Sequence, residues 1–515
     1  MNKLNSSNER NTLKVKSRIF DCFGYTTAHG YGRVAAATGE SRLRKWFWLL
    51  ACAAAYGVFT YQLMDLASQY LSRPLKTRTS IAHEQKLAFP QVTICNLNKI
   101  RRSKLPQQII DEFPEILDND HGETKTRNKT TTPSRPNHND SPAVTDLGDL
   151  PPLEQVVEKT HQRLAEYPEA ELEQLGHQLD DMILTCWFNA IECLDSKQHL
   201  WIQFWHHKYG NCYTFNRGTD EHNERTEIMT SSLPGHEGGL TLDINIEQYE
   251  YIDLLSQEAG VRVFVASQND MPFPYELGHS APPGYATAIQ LRKVVVGRLD
   301  PFHNQSCKPG KDINEDNIFR RFNVSYGDLT CKFSCLAVMM NNMCGCVMYA
   351  LKYSEHHTNV CDGSEKDTVA CVNSAFDKYD QGACEKDCQE GCWEDLFKTT
   401  VSLSKWPSRH FENTLVRSLD EKDLKNYSTA LSDNFLRLKI YYGELNYEVM
   451  AEELAYAPAR FLSDIGGIMG MWIGISALTC VEFLELLASL CSMILRKVKQ
   501  KETNVIEVQP SDNYA

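Results

Sequence analysis

The sequence predicts an α+β membrane protein in which two transmembrane helices bracket a large, disulfide-rich extracellular domain. Three observations lead there: two long apolar runs toward the ends of 515 residues, an even set of cysteines between them, and alternating β-branched segments in the same interval. With 42% hydrophobic and 23% charged residues, most of the chain must still be a water-soluble folded region with its own core.

The first apolar run, Trp46 to about Leu66, has the roughly 20 residues that cross ~30 Å of hydrocarbon. It is not a cleavable signal peptide, because it begins only after residue 45 and lacks an early charged start with a small-residue cleavage site. The second run, IGGIMGMWIGISALTCVEFLELL from Ile465 to Leu487, is equally apolar yet carries Glu482 and Glu485. Lys14, Lys16, Arg18, Arg33, Arg42, Arg44 and Lys45 precede the first run, and Arg496, Lys497, Lys499 and Lys501 follow the second. By the positive-inside rule both termini are cytoplasmic. The expected layout in the plasma membrane is a cytoplasmic segment 1–45, a first span 46–69, an extracellular domain 70–458, a second span 459–495 and a cytoplasmic tail 496–515.

The cysteines test that layout independently. Cys22, Cys52, Cys480 and Cys491 belong to the tail or the spans, which leaves fourteen in the extracellular interval, an even number suited to an oxidising compartment. Sequons at Asn128, Asn139, Asn304, Asn323 and Asn426 fall there too, where N-linked glycans are added. Zinc is the rival for Cys344-Gly-Cys346 and Cys331-x3-Cys335, but no matching histidine pairs accompany them, so no metal site is expected.

Between residues 307 and 392 the cysteine order suggests two helices folded back on each other with nested rungs: Cys346–Cys361, Cys344–Cys371, Cys335–Cys384, Cys331–Cys388 and Cys307–Cys392. Spacings of three or four residues set successive rungs on one helical face. Each bridge contributes ~2–4 kcal/mol, which makes the arm stiff enough to transmit a movement. Runs at 87–97, 239–246, 260–266, 286–297 and 434–449 read as strands of a central sheet. Residues 118–152, rich in Asn, Thr, Pro and Asp, read as a mobile loop, and Leu153 to Cys186 as a helical pattern with acidic faces.

An ionisable residue inside a span costs at least ~2.5–3.5 kcal/mol and faces a bundle interior or a water-filled path. Gly467, Gly470, Gly474, Leu478, Glu482 and Glu485 recur at three and four residues, one stripe of one helix. Small residues let copies of the helix approach closely, and the carboxylates further along attract cations. One copy cannot enclose a pore, so the chain must oligomerise; the competing reading is glycine packing with the glutamates snorkelling to the interface.

Together with that second span and its Gly474-Ile475-Ser476, four stretches carry a resemblance: the His29-Gly30 pair, FPQVTICNLN (Phe89 to Asn98), YGNCYTFN (Tyr209 to Asn216) and the cysteine order. On these the chain resembles the degenerin/epithelial sodium channel superfamily from about residue 20 to 495, outside the 118–152 loop. The resemblance implies a trimer of identical or related subunits whose ectodomain has palm, β-ball, finger, thumb (307–392) and knuckle. It implies that Gly474, Ile475 and Ser476 form the selectivity belt, that Glu482, Glu485 and Asp464 are pore carboxylates, and that His29 and Gly30 lie in a re-entrant cytoplasmic loop that influences gating. Ser463 corresponds to a position where bulk locks such channels open and Gly470 to the position linked to amiloride block; the two further bridges are Cys95–Cys212 and Cys186–Cys193.

CWFNAIEC, AGVRVFVASQNDMPFP and APPGYATAIQL look most like the invertebrate FMRFamide-gated branch, and Cys384-x3-Cys388-x3-Cys392 differs from the Cys-x-Cys start common in acid-sensing members. A peptide with two rings and two positive charges needs apolar walls plus a carboxylate, which Asp180, Asp181, Trp187 and Phe188 combine. The net charge of −14 suits a cationic ligand but chiefly reflects solubility. The expected function is therefore a ligand-gated, amiloride-sensitive sodium channel opened by RFamide peptides, with acid-sensing, bile-acid-sensitive or constitutive gating as alternatives. A two-span lipid or scavenger receptor shares the topology but has no reason to place glutamates behind a glycine stripe, and a nucleotide-gated trimer calls for an ectodomain lysine cluster that is missing. No nucleophile motif, phosphate loop or metal spacing points to an enzyme, a cofactor beyond permeant sodium, or nucleic acid.

Overall fold

The computed structural model describes residues 42–117, 147–193, 200–300, 307–310, 312–313, 317–353, 359–418 and 431–474, and beyond these residues 479, 481, 484–488 and 490–492. Two compact units emerge, Thr77–Glu452 and a smaller one formed by Met1–Lys76 with Glu453–Ala515.

In the smaller unit, Arg42–Leu71 is one unbroken helix, and its stretch Trp46–Leu71 is the one described helix long and apolar enough to cross a membrane. A second helix, Pro458–Trp472, starts where Pro458 sits in the first turn behind an extended Ala457, a position where the missing N–H costs nothing. The two helices meet through Tyr70 stacked on Phe461 at 4.2 Å and Trp472 Nε1 donating to Gln62 Oε1 at 2.7 Å. Ala455 N donates to Pro74 O at 2.7 Å beside them.

The larger unit is built on two main sheets. The seven-stranded one runs Trp393–Lys405, Tyr285–Gly297, Phe435–Leu454, Leu240–Asn245, Ile183–Phe188, Ile191–Glu192, with Leu75–His83 also paired to Phe435–Leu454. The only parallel pairing described in it joins Tyr285–Gly297 to Phe435–Leu454. The five-stranded sheet runs His279–Ala281, Val261–Ala266, Gln91–Asn96, Gly210–Phe215, Trp201–His206, antiparallel throughout. A single core takes Ile244, Leu438 and Tyr442 from the first sheet and Val92, Val263 and Phe215 from the second. Asp243, buried at the middle of the first, is held by a two-point contact from Arg437 at 2.6 and 2.8 Å, whose guanidinium also covers Trp406.

Two expectations need correction. The strand segments do not form one central sheet: Gln91–Asn96 and Val261–Ala266 belong to the five-stranded sheet, and Leu87–Ala88 pairs with Thr230–Ser231 in a separate two-stranded sheet. Alternation identifies a strand but not its partner. The pattern from Leu153 to Cys186 is not one helix either. It breaks into Pro152–Leu164, Glu169–Leu175 and Leu179–Met182, interrupted at Pro168 and Gly176, and then becomes the strand Ile183–Phe188. Its apolar run ILTCWF has no helical period to keep it helical once it can join Leu240–Asn245.

Seven disulfides brace the larger unit: Cys95–Cys212, Cys186–Cys193, Cys307–Cys392, Cys331–Cys388, Cys335–Cys384, Cys344–Cys371 and Cys346–Cys361. Cys331, Cys335 and Cys344 stand on the helix Asp328–Cys344, whose partner is Lys366–Asp380. Only Cys371 among their partners is helical. Gly382, at φ 83°, follows the end of the second helix, and Cys384 and Cys388 reach back from the turns beyond it. The rungs are nested as the spacing suggests, but only Cys344–Cys371 joins the two helices; the others end in turns or loops.

Candidate functional site

The helix Pro458–Trp472 collects four of the residues singled out in the sequence. Ser463 is exposed, one turn before Gly467. Asp464 accepts the hydroxyl of Tyr456 and faces Arg460 Nε at 4.0 Å, so its carboxylate is engaged at the head of the helix. Gly466, Gly467 and Gly470 have no atom within 4 Å of where a Cβ would stand. None of its residues is fully buried, although Phe461, Ile465, Ile468, Met469 and Trp472 are half-buried.

The helix stops at Gly474. Ile473 N still bonds Met469 O at 3.1 Å, but Gly474 takes φ 70°, a left-handed value that costs a side-chain-bearing residue about 1–2 kcal/mol. Further along, Glu485 lies in a helical segment and is exposed. Ile475, Ser476, Glu482, His29 and Gly30 lie outside the described residues, as do Asn128, Asn139, Asn304 and Asn426. Asn323, the remaining sequon, is exposed at φ 49°, where a glycan has room.

The proposed peptide-binding group does not assemble as expected. Phe188 is only 3% exposed and packs edge-on against Phe89 at 5.0 Å; it is a core residue, not a pocket wall. Trp187, the next residue along the strand, points to the other face and is 44% exposed, because successive side chains of a strand alternate. Asp181 is bound by Arg101 Nη1 at 3.2 Å; residual burial and the Glu247 carboxylate raise its pKa, and Arg101 pulls the other way. Asp180 is exposed at the start of the short helix Leu179–Met182.

A disulfide-braced β unit and a membrane-length helix share this chain, and the family it matches is one of ion channels, not enzymes, that need no cofactor. The chain belongs to the amiloride-sensitive sodium channel family, whose profile matches residues 22–486. It is 32% identical over 324 residues to the epithelial sodium channel subunit beta of Neoceratodus forsteri, a match covering 62% of this chain and 48% of that one. The epithelial sodium channel subunit alpha of Xenopus laevis is 27% identical over 91% of this chain and 80% of its own length, and the acid-sensing ion channel 1C of Danio rerio 27% identical over 90% and 82%. The chain thus spans about half of the first relative and about four fifths of the other two. A solved proton-activated chloride channel aligns over 86% of this chain and 97% of its own at 5% identity and a TM-score of 0.26, too remote to bear on the fold.

Proposed function

We propose that the chain is a subunit of a trimeric, sodium-selective, amiloride-sensitive channel of the plasma membrane that extracellular RFamide peptides open. The break at Gly474, inside the Gly474-Ile475-Ser476 belt, is the observation that carries this reading. Two spans, with 459–495 as the second, leave both termini cytoplasmic, and identical or related subunits bring three copies of the broken helix around one path. Glu482 and Glu485 concentrate cations below the belt, Asp464 marks the entrance, Gly470 sets amiloride block, and His29 with Gly30 lines the inner mouth. Ser463 packs against neighbouring copies in the closed state, and glycans sit on the five sequons.

Peptide gating rests on the CWFNAIEC, AGVRVFVASQNDMPFP and APPGYATAIQL stretches. Because Phe188 is core, the cationic peptide is left with Asp180, Asp181 and Trp187 from the group first singled out. A peptide opens the channel only through its preference for the open arrangement, and moving from 1:99 to 99:1 takes ~5.5 kcal/mol, shared if three sites act. Recording from cells expressing the chain alone tests this. RFamide peptide at neutral pH is expected to give an amiloride-sensitive inward sodium current, and acid without peptide little. A robust acid-evoked current with no response to any RFamide peptide overturns it in favour of the second reading, proton gating, which the acid-sensing names among the relatives support.

A further inference from the structure

Lys99 follows the strand Gln91–Asn96 and is 3% exposed. Its backbone is fixed by the hairpin Trp201–Phe215: Gly210, at φ 71°, comes so close to the Lys99 carbonyl that any Cβ there would clash at 2.0 Å. The ammonium has a hydrogen-bond partner in His161 Nδ1 at 3.2 Å, and among the described residues no carboxylate lies within ion-pair distance of it. Buried ammonium groups are ordinarily paired, because an uncompensated charge out of water is costly.

Beside Lys99 lies a cavity of about 320 Å³ whose wall also includes Trp205, His207, Tyr349, Lys352 and Tyr353. The carboxylates at its rim are already committed, Glu169 to Arg321 at 2.6 Å and Glu166 to Arg163 at 2.7 Å. Glu158, behind it, accepts Tyr349 Oη at 3.3 Å. Lys352 donates to the Ala165 carbonyl, and both residues line the space. The result is a hollow of mixed lining in which Tyr167, Trp205, Tyr349 and Tyr353 stand beside Lys99, Lys352 and Arg321, with Lys99 buried, no described carboxylate in direct contact with it, and Glu158 acting on it at longer range. Apolar pockets with a few convergent polar groups are the usual build of a small-molecule site.

We propose that this cavity binds a small carboxylate with an aromatic or aliphatic body, its carboxylate taken by Lys99 and its body by the Trp205, Tyr349 and Tyr353 rings. The site joins the helices Pro152–Leu164 and Glu169–Leu175, the hairpin and the segment after the disulfide-bearing helix, so an occupant ties three parts of the larger unit together. Burial, then the neighbouring Lys208, draw the Lys99 pKa down to about 7, and Glu158 opposes them. Burial and these lysines hold His161 and His207 neutral, and burial and His207 do so for His206, so none of the three competes as a cation near neutrality. An ionised carboxylate favours the charged amine, so binding is expected to tighten below neutrality and weaken above it.

The proposal goes beyond the gating scheme and does not depend on it. Calorimetry on the purified full-length chain with benzoate, and with benzamide as a neutral probe of the same shape, tests it without any current being recorded. Benzoate is expected to bind saturably, at least about tenfold more tightly than benzamide and more tightly on the acid side of neutrality, and Lys99→Met to weaken it about tenfold or more while Lys352→Gln weakens it less. Equal affinity for benzoate and benzamide, no saturable benzoate binding, or unchanged binding in a folded Lys99→Met chain overturns the proposal. If Lys99→Met fails to fold, the comparison of the two probes and the two pH ranges on the unaltered chain decides alone.

Discussion

Gly238-Gly239 in the larger unit and Gly466-Gly467 in the smaller look alike as sequence, yet the structure uses them in opposite ways. A Cβ on Gly239 would stand 2.2 Å from the Ile440 carbonyl and 2.6 Å from Tyr441 Cβ, so its own chain has already filled the space. At Gly466 and Gly467 nothing lies within 4 Å. Gly239 lets the chain close on the strand Phe435–Leu454 and Gly238 lets it close on Leu233, whereas the second pair leaves open space that the chain by itself does not cover. A unit of the first kind is complete alone, whereas a helix of the second kind needs lipid or further copies, which is the physical content of proposing an oligomer.

Four variants sharpen or break this contrast. Phe435→Ala removes a ring with no exposed surface from the larger unit and is expected to cost about 3–5 kcal/mol, read as a drop in the melting temperature of the purified chain and loss of delivery to the cell surface. Unbridging the arm with Cys335→Ser and Cys384→Ser together removes the rung at Cα–Cα 6.1 Å and is expected to cost about 2–4 kcal/mol on the same melting measurement. Gly239→Ala forces a methyl against the Ile440 carbonyl, and about 1–3 kcal/mol of destabilisation is expected. Gly467→Ala, with open space before it, is expected to change the melting of a single subunit by under about 0.5 kcal/mol while altering conductance or trimer recovery on sizing. Equal destabilisation by the two glycine substitutions breaks the comparison.

The contrast also explains what could be read in advance. Leu240–Asn245, Val261–Ala266 and Tyr285–Gly297 announce themselves because β-branched runs need a sheet and Gly or Pro flanks end them. Trp393–Lys405 did not: its side chains are mostly exposed, so its thirteen residues show no buried face, and only the full-length pairing from Gly297↔Trp393 to Tyr285↔Lys405 makes it a strand. The stripe from Gly467 to Glu485 reads in sequence as one face of one helix, but the described helix ends at Trp472 and Gly474 takes a left-handed φ of 70°, a break that periodicity alone does not announce. Phe188 was misread because the segment up to Cys186 reads as helical in sequence, so the strand alternation that turns Phe188 inward beside an exposed Trp187 was not applied. Lys99 escaped notice altogether, because in Asn-Lys-Ile-Arg-Arg-Ser it reads as part of a solvated basic run, and only the packing of distant segments, Gly210 against its backbone and His161 against its ammonium, removes it from water.

The account stands or falls on whether the uncovered face of Pro458–Trp472 is where copies meet around a gated path. Ser463 lies exposed on that helix and can be replaced by cysteine, with the unaltered chain as control for Cys52 and Cys491. Current is then recorded before and after a bulky, charged thiol reagent is applied from outside. A standing amiloride-sensitive sodium current that persists without agonist in Ser463→Cys, and does not appear in the unaltered chain, is the expected result, because the enlarged side chain no longer fits the closed packing. A channel that demonstrably reacts and stays shut until agonist arrives contradicts it.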